Sequence, residues 1–236
     1  MTALRLAIIG DGRMGRALAS LAPERGFEVV SVIGPDGNEG GAAITPARLA
    51  GAEVAVEFTE PAAAAGNALA CIRAGLPVVV GTTGWHERLP EVRAAALAAG
   101  GALVWAPNFS AGVVMFTALA RQAGALFAGR GFEARLVETH HVAKKDAPSG
   151  TALSLSRAFA GGGGEPPDIT SIRVGHVPGT HEIVMDGPFE QILLRHEARD
   201  RRVFADGALR AARWLPGRRG VFTMEDVLGL RTEATE

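Results

Sequence analysis

LAIIGDGRMGRAL, Leu6 to Leu18, runs from a β-branched segment through a glycine turn into a helical pattern. Gly10, Gly12 and Gly15 stand there in G-x-G-x-x-G order, immediately after an apolar run and at the opening of a helix. Each glycine has its own task in that setting. Gly10 permits the tight turn, Gly12 lets backbone approach a pyrophosphate, and Gly15 lets helix and strand pack closely with the helix N-terminus facing the anion. The turn residues Gly10, Asp11, Gly12, Arg13, Met14 and Gly15 are therefore candidate dinucleotide contacts.

Working outward, short β-branched runs at Arg5–Ile9, Glu28–Ile33, Val54–Phe58, Val78–Val80 and Leu103–Trp105 alternate with alanine-rich segments at Arg13–Ala22, Pro61–Ala74 and Glu87–Ala99. Those segments are long enough for crossover helices, so the first half reads as βαβ units on a doubly wound parallel sheet of Rossmann type. After Asn108 the texture changes. A long apolar helix is expected at Gly112–Phe127, and an alternating strand at Phe132–Glu138. Further strands at Thr170–His176, His181–Met185 and Gln191–Glu197 follow, with one helix at Thr151–Ala160. Strands without intervening helices imply a mixed or antiparallel sheet, hence a second α+β domain. The tail returns to helix at Phe204–Leu215 and ends in a short apolar turn at Met224–Leu228. The expected organisation is residues 1–109 with 209–236 for the dinucleotide domain, and 110–208 for a substrate and oligomerisation domain.

A Rossmann site that selects NAD places an acid at the end of its second strand to accept ribose hydroxyls. Here that position reads Val32-Ile33-Gly34-Pro35-Asp36, with glycine where the acid belongs. Asp36 in the following loop is one substitute, while Arg13 and Arg16 are candidates for a 2′-phosphate. The choice between NADH and NADPH stays open on these residues. Two loops at strand C-terminal ends complete the candidate cofactor set: Gly81-Thr82-Thr83-Gly84, and Ala106-Pro107-Asn108-Phe109-Ser110. Phe109 could wall off a nicotinamide ring.

Composition narrows the partners. With 236 residues, 47% of them hydrophobic, the chain can bury a real core. Its 24 basic residues nearly cancel 25 acidic ones, so no broad field draws in nucleic acid or an anionic membrane, and neither partner is expected. No apolar stretch approaches spanning length, and Leu6–Ile9 is too short for a signal-peptide core, so a cytoplasmic location is expected. Cys71 is the single cysteine and reads as core packing. Of the 24 cations only the adjacent Lys144 and Lys145 are lysines, leaving 22 arginines. Lysine, unlike arginine, can give up its proton, so the one place that keeps an ammonium is a candidate chemical site.

That place lies in the stretch Glu138 to Ala152, ETHHVAKKDAPSGTA, which leaves a strand, crosses a loop rich in proton-transfer groups and enters a helix through Pro148 and Ser149. His140 and His141 bring two imidazoles, the side-chain type that in water changes charge near neutrality, and Lys144 can hydrogen-bond or donate a proton. The amides of Gly150 and Thr151 in the first helical turn favour a carboxylate, which implies a small anionic substrate. Nearby sequence supplies no matching cluster of Cys, His and acids, so no metal is expected.

HHxxKxDAPSGTA, from His140 to Ala152, resembles the signature of the 4-hydroxy-tetrahydrodipicolinate reductases, and GxGRMGR, GTTG, APNFS and the terminal GVFTMEDVLGL occur in that family's order. The resemblance covers essentially the whole chain. It implies NADH- or NADPH-dependent reduction of a cyclic hydroxylated imine dicarboxylate to tetrahydrodipicolinate with loss of water, by an enzyme that closes two domains around its substrate. It further implies His140 as general acid and Lys144 as second proton donor, with His141, Gly150 and Thr151 on the substrate's carboxylates. Arg201 matches the family's substrate-facing arginine, with Arg202 as the neighbouring alternative. Lys145 falls at a variable position. The family is typically a homotetramer built through second-domain sheets. Gly34 in place of the usual acid and a trimmed second-strand loop are the departures. Two other readings fit parts of the chain. Another NAD(P)-dependent amino or imino acid dehydrogenase has no need of the full His140–Thr151 set, and a non-catalytic dinucleotide sensor has no reason to keep both His140 and Lys144.

Overall fold

β-Branched and small apolar residues concentrate where the chain forms its first strands: β1 (Leu4–Ile9), β2 (Phe27–Ile33), β3 (Val54–Glu57), β4 (Val78–Val80) and β5 (Ala102–Trp105). A computed structural model describes residues 2–230. β1 pairs in parallel with both β2 and β3, and β3–β4 and β4–β5 continue the parallel ladder. Helices cover the sheet: α1 (Arg13–Leu21), a single turn α2 (Pro46–Leu49), α3 (Pro61–Arg73) and α4 (Leu89–Ala98). Ala64, Ala65 and Ala68 on α3 are fully buried with Val78, Val80, Ala55 and Leu103. Small side chains on the helix let it lie close to a strand layer covered on both faces, which is why these strands read as unbroken apolar runs. Burial of each Val or Leu here contributes about 1.5–3 kcal/mol relative to exposure. α4 begins two residues later than its sequence pattern suggests, because His86–Arg88 form a 3₁₀ turn and Pro90 fits the first helical turn proper.

The chain divides into two units: residues up to Phe109 together with those from Phe204 onward, and Ser110–Val203. The second unit opens with α5 (Ala111–Phe127), whose N-cap Ser110 accepts a hydrogen bond from the Val113 amide at 3.3 Å. β6 (Glu133–His140), α6 (Gly150–Gly161), β7 (Asp168–Arg173), β8 (Thr180–Asp186) and β9 (Gln191–Glu197) follow. The sheet order is β7-β6-β8-β9, with β6–β7 parallel and the other two pairs antiparallel. It is therefore mixed, as a strand–helix–strand crossover through α6 followed by a hairpin requires. α5 and α6 cover one face over Phe116, Leu136, Leu155, Phe159, Ile183 and Met185. A Cβ on Gly124 would lie 1.9 Å from the Phe159 carbonyl oxygen, so a glycine is what lets these helices meet. β7 starts two residues before its expected position and stops at Arg173. β9 is an edge strand, with Leu193 half exposed.

α7 (Arg202–Trp214) carries the chain back, and the return comes at Phe204 rather than at residue 209. A Cβ on Gly207 would stand 1.7 Å from the Phe109 carbonyl oxygen, which fixes this helix against the end of the fifth strand's loop. A sixth strand, β10 (Gly220–Phe222), then pairs in parallel with β5, and α8 (Met224–Val227) closes the described chain through a capping box between Thr223 and Asp226. The sheet order is β10-β5-β4-β3-β1-β2. Sequence periodicity misses β10 because it has three residues, all half-buried, following a polar Pro-Gly-Arg-Arg turn. No helix among the described residues is long and apolar enough to cross a membrane.

Candidate active site

The glycine turn has the geometry its spacing implies. Gly10 has φ +108°, and a Cβ there would lie 2.1 Å from the Phe58 carbonyl oxygen; one on Gly15 would lie 1.8 Å from the Gly10 carbonyl oxygen. Gly12, by contrast, has nothing within 4 Å of its missing Cβ, and no side chain caps the helix it begins. Close backbone packing at Gly10 and Gly15 with open space at Gly12 fits a cradle for a dinucleotide pyrophosphate. Arg16 donates to the carbonyl oxygen of Asp11 at 3.2 Å, so part of its capacity is spent inside the turn.

At the same end of the parallel sheet a cavity of about 400 Å³ is lined by Met14, Gly81, Thr82, Thr83, Pro107, Asn108 and Phe109, together with Phe58, Thr59, Pro61 and Phe204. The three loops that sequence reasoning selected thus meet, and the ends of β3 and α7 add residues it missed. The cavity wall is tied together by hydrogen bonds. The Thr59 amide donates to Thr82 Oγ1 at 2.7 Å, Trp85 Nε1 donates to the Thr82 carbonyl at 2.8 Å, and the Thr59 hydroxyl donates to the carboxyl of Glu57. Glu57 is fully buried and its pKa is raised by burial, against the lowering effect of its hydrogen bonds from Thr59, Thr82 and Asn67. Phe109 meets Phe58 edge to face with ring centroids 6.0 Å apart.

In the second unit, alternation along β6 buries Leu136, Glu138 and His140 on one face. Glu138 Oε1 accepts from Arg173 Nη2 at 2.7 Å and from the Ser149 amide at 3.3 Å, while Oε2 contacts His140 Nδ1. Burial alone would raise the pKa of Glu138; hydrogen bonds from Arg173 and Ser171 and the charges of His140 and Arg173 outweigh it, and the net shift is downward. An ionised Glu138 beside Nδ1 favours a proton on that nitrogen, and with it the tautomer whose Nε2 is free to exchange one. His140 differs from the near-neutral titration its residue type suggests: its pKa is lowered, chiefly by burial, with Lys144 and Arg173 adding to the effect and Glu138 opposing it. A Cβ on Gly179 would come within 3.0 Å of Nε2, so a glycine keeps that side of the ring clear.

Lys144 Nζ pairs with both carboxylate oxygens of Asp146, at 2.7 and 2.9 Å. Arg201 Nη2 lies 3.2 Å from His141 Nε2, whereas Arg202 is held by Asp200 through its Nε at 2.9 Å. Of the two candidate arginines, the one brought to the histidine pair is Arg201. α6 begins with Gly150, one residue before the expected Thr151, and Ser149 is its N-cap, accepting from the Ala152 amide at 3.1 Å. A Cβ on Gly150 would meet nothing within 4 Å, so the helix opens onto free space at that residue.

Sequence pattern places His181 only at the start of a strand; in the β6–β8 ladder it stands directly across from Glu138. Its Nε2 is 3.2 Å from Ser149 Oγ, and its ring meets that of His140 edge to face at 5.2 Å. Burial, reinforced by the charge of His140, lowers its pKa to about 4. Glu138, His140 and His181 place potential ligand atoms within 4.8 Å of one another, a grouping invisible to local spacing. Arg173, Ser149 and His140 already engage the carboxylate. The cluster therefore reads as a proton-handling network. Glu138 was within reach of sequence reasoning, since residues two apart on a strand share a face.

Residues 4–109 match the family description "Dihydrodipicolinate reductase, N-terminus", and residues 112–228 match "Dihydrodipicolinate reductase, C-terminus". The chain is 38% identical to the 4-hydroxy-tetrahydrodipicolinate reductase of Thiobacillus denitrificans, over 97% of this chain and 99% of the relative. It is 40% identical to the enzyme of the same name from Stenotrophomonas maltophilia, over 96% and 98%. Among solved structures, a dipicolinate-bound dihydrodipicolinate reductase from Paenisporosarcina sp. TG-14 shares the fold with a TM-score of 0.78 at 21% identity, over 94% of this chain and 98% of that one. A diaminopimelate dehydrogenase of C. glutamicum shares it more loosely, with a TM-score of 0.53 at 15% identity, over 98% and 97%. With both halves matched in order and the glycine cradle and histidine network in place, the chain belongs to the dihydrodipicolinate reductase family.

Proposed function

We propose that this protein is a 4-hydroxy-tetrahydrodipicolinate reductase, using NADH or NADPH to convert the hydroxylated cyclic imine dicarboxylate to tetrahydrodipicolinate with loss of water, in lysine biosynthesis through diaminopimelate. The observation that carries the reading is the buried Glu138–His140 pair at the end of β6, within electrostatic reach of Lys144 and followed by the start of α6 at Gly150. The bound nicotinamide supplies the hydride. Gly10, Asp11, Gly12, Arg13, Met14 and Gly15 would hold the dinucleotide's phosphates and ribose, and Gly81, Thr82, Thr83, Ala106, Pro107, Asn108 and Phe109 its nicotinamide end.

The chain's own residues handle protons and charge. His141, Arg201, Gly150 and Thr151 bind the substrate's carboxylates, and Lys144 polarises the conjugated imine. One proton is taken up per turnover as the hydroxyl leaves as water, and His140 delivers it from Nε2 while Glu138 holds Nδ1. Burial makes the empty site's His140 a poor proton holder, and a dianion bound beside it reverses that tendency, so substrate promotes protonation of its own acid.

A homotetramer and a cytoplasmic location accompany this reading. The half-exposed Leu193 on edge strand β9 and the fully exposed Phe189 in the turn before it support association through this sheet. The test follows reduced-nicotinamide absorbance with enzymatically generated substrate. Oxidation should require substrate, and His140→Ala or Lys144→Ala should each lower kcat by about 10²–10⁴. Unchanged turnover in both variants rejects the assigned chemistry.

A further inference from the structure

We infer that Asp11 selects the coenzyme. From inside the glycine turn it supplies the carboxylate that the end of β2 lacks, and the protein therefore favours a dinucleotide with a free adenosine 2′-hydroxyl, NADH, over one carrying a 2′-phosphate. The inference deepens the dinucleotide reading and rests on it. In a Rossmann site the acid that accepts the ribose hydroxyls stands at the C-terminal end of the second strand, and that acid both binds NAD and repels a phosphate. Position 34 is that place here, and it is glycine.

Nothing in the backbone demands a glycine there, since Gly34 is not among the residues with positive φ. The group nearest to a side chain grown there is the Asp11 carboxylate. A Cβ on Gly34 would lie 2.7 Å from Asp11 Oδ2, 3.0 Å from its Cγ and 3.5 Å from Oδ1. The Asp11 carboxylate thus occupies the space from which a residue-34 acid would grow. The two positions are fastened together, because β1 and β2 pair through Ile9 and Ile33 and the Gly10 amide donates to the Ile33 carbonyl oxygen at 2.8 Å. Asp11 is exposed, and among the described residues no hydrogen bond or ion pair engages its carboxylate.

The nearby cations do not reverse the sign. Arg16 is turned toward the Asp11 carbonyl. Arg13 opens α1 next to Gly12, where a cation can serve the pyrophosphate shared by both coenzymes. A 2′-phosphate would instead be brought against a carboxylate, and the two negative groups repel. Substituting an acid at position 34 for the one at position 11 moves the same charge across about one side chain's width.

Equilibrium binding tests this without relying on turnover. Wild-type protein is titrated with NADH and with NADPH by calorimetry at one fixed ionic strength, alongside Asp11→Ser and the double variant Asp11→Ser with Gly34→Asp. Wild type should bind NADH about tenfold or more tightly than NADPH, as loss of a hydrogen bond to a charged group implies. Asp11→Ser should lose that preference by weakening NADH and not NADPH, and the double variant should restore it. Equal weakening of both coenzymes by Asp11→Ser, an unaltered NADH affinity, or tighter NADPH binding by wild type would each overturn the assignment. Failure of wild type to bind either dinucleotide would instead sink the underlying dinucleotide reading, and this assignment with it.

Discussion

Glu138 and His140 are two positions apart on β6, so they leave the strand on one face, and both are buried there. The acid's ionised form is favoured by Arg173, and the imidazole's neutral form by burial. A general acid works protonated, and its protonated fraction falls as pH rises through its pKa. Since the His140 pKa lies below the ordinary 6.5, kcat/KM should already be declining below neutrality, while kcat should hold to higher pH because the bound dianion favours the imidazolium. Rate profiles from pH 5 upward decide the matter, and a kcat/KM that climbs with pH across that range would count against His140 as the acid. Gly179→Ala puts a methyl 3.0 Å from His140 Nε2 at a φ of +155°, so it should depress kcat while leaving NADH affinity intact, and cost on the order of 1–3 kcal/mol of stability. Calorimetric binding and thermal denaturation separate the two effects. At this scale the sequence could group its candidates by proximity alone: His140, His141, Lys144 and Gly150 fall in one stretch, and of the two arginines Arg201 is the one that contacts His141. Arg173 and His181 were not, because strand pairing and not chain proximity brings them to Glu138.

Elements show the same division. The parallel strands were readable from their unbroken apolar runs, and α5 and α6 from length, whereas α2 and β10 are too short to carry a period. α6 depends on its cap: Ser149 holds the Ala152 amide, touches His181, and donates its own amide to Glu138. Ser149→Ala should lower stability by about 1 kcal/mol through the lost cap, measured by chemical denaturation, with Ser149→Thr recovering most of it. The β6–β8 pairing also makes the second unit acid-sensitive. His181 titrates at about 4 folded against 6.5 unfolded, so the unfolded chain binds the extra proton between those values and stability falls as pH drops through that window. His181→Gln should flatten the pH dependence of the denaturation midpoint there, by up to one proton's worth of slope, even if the variant is less stable at neutrality.

For the molecule as a whole, the first sheet is assembled from both ends of the chain, with the second unit inserted between β5 and α7. The sequence indicated that insertion through the change of texture after Asn108, but the return point falls inside a continuous amphipathic helix, where no linker composition marks it. Association is tested at this level: Leu193→Asp on edge strand β9 should reduce the assembled mass measured by light scattering, while the reduced coenzyme still binds. The placement of β10 beside β5 also sets an order of events during translation. Until residues 220–222 leave the ribosome, the β5 edge has no neighbour on that side, and at about 5–20 residues per second that wait lasts roughly 6 to 23 s. Throughout it the nascent amino-terminal half leaves that row of amides and carbonyls to water, so a product terminated before residue 220 should self-associate more readily than the full chain, as light scattering on refolding would show.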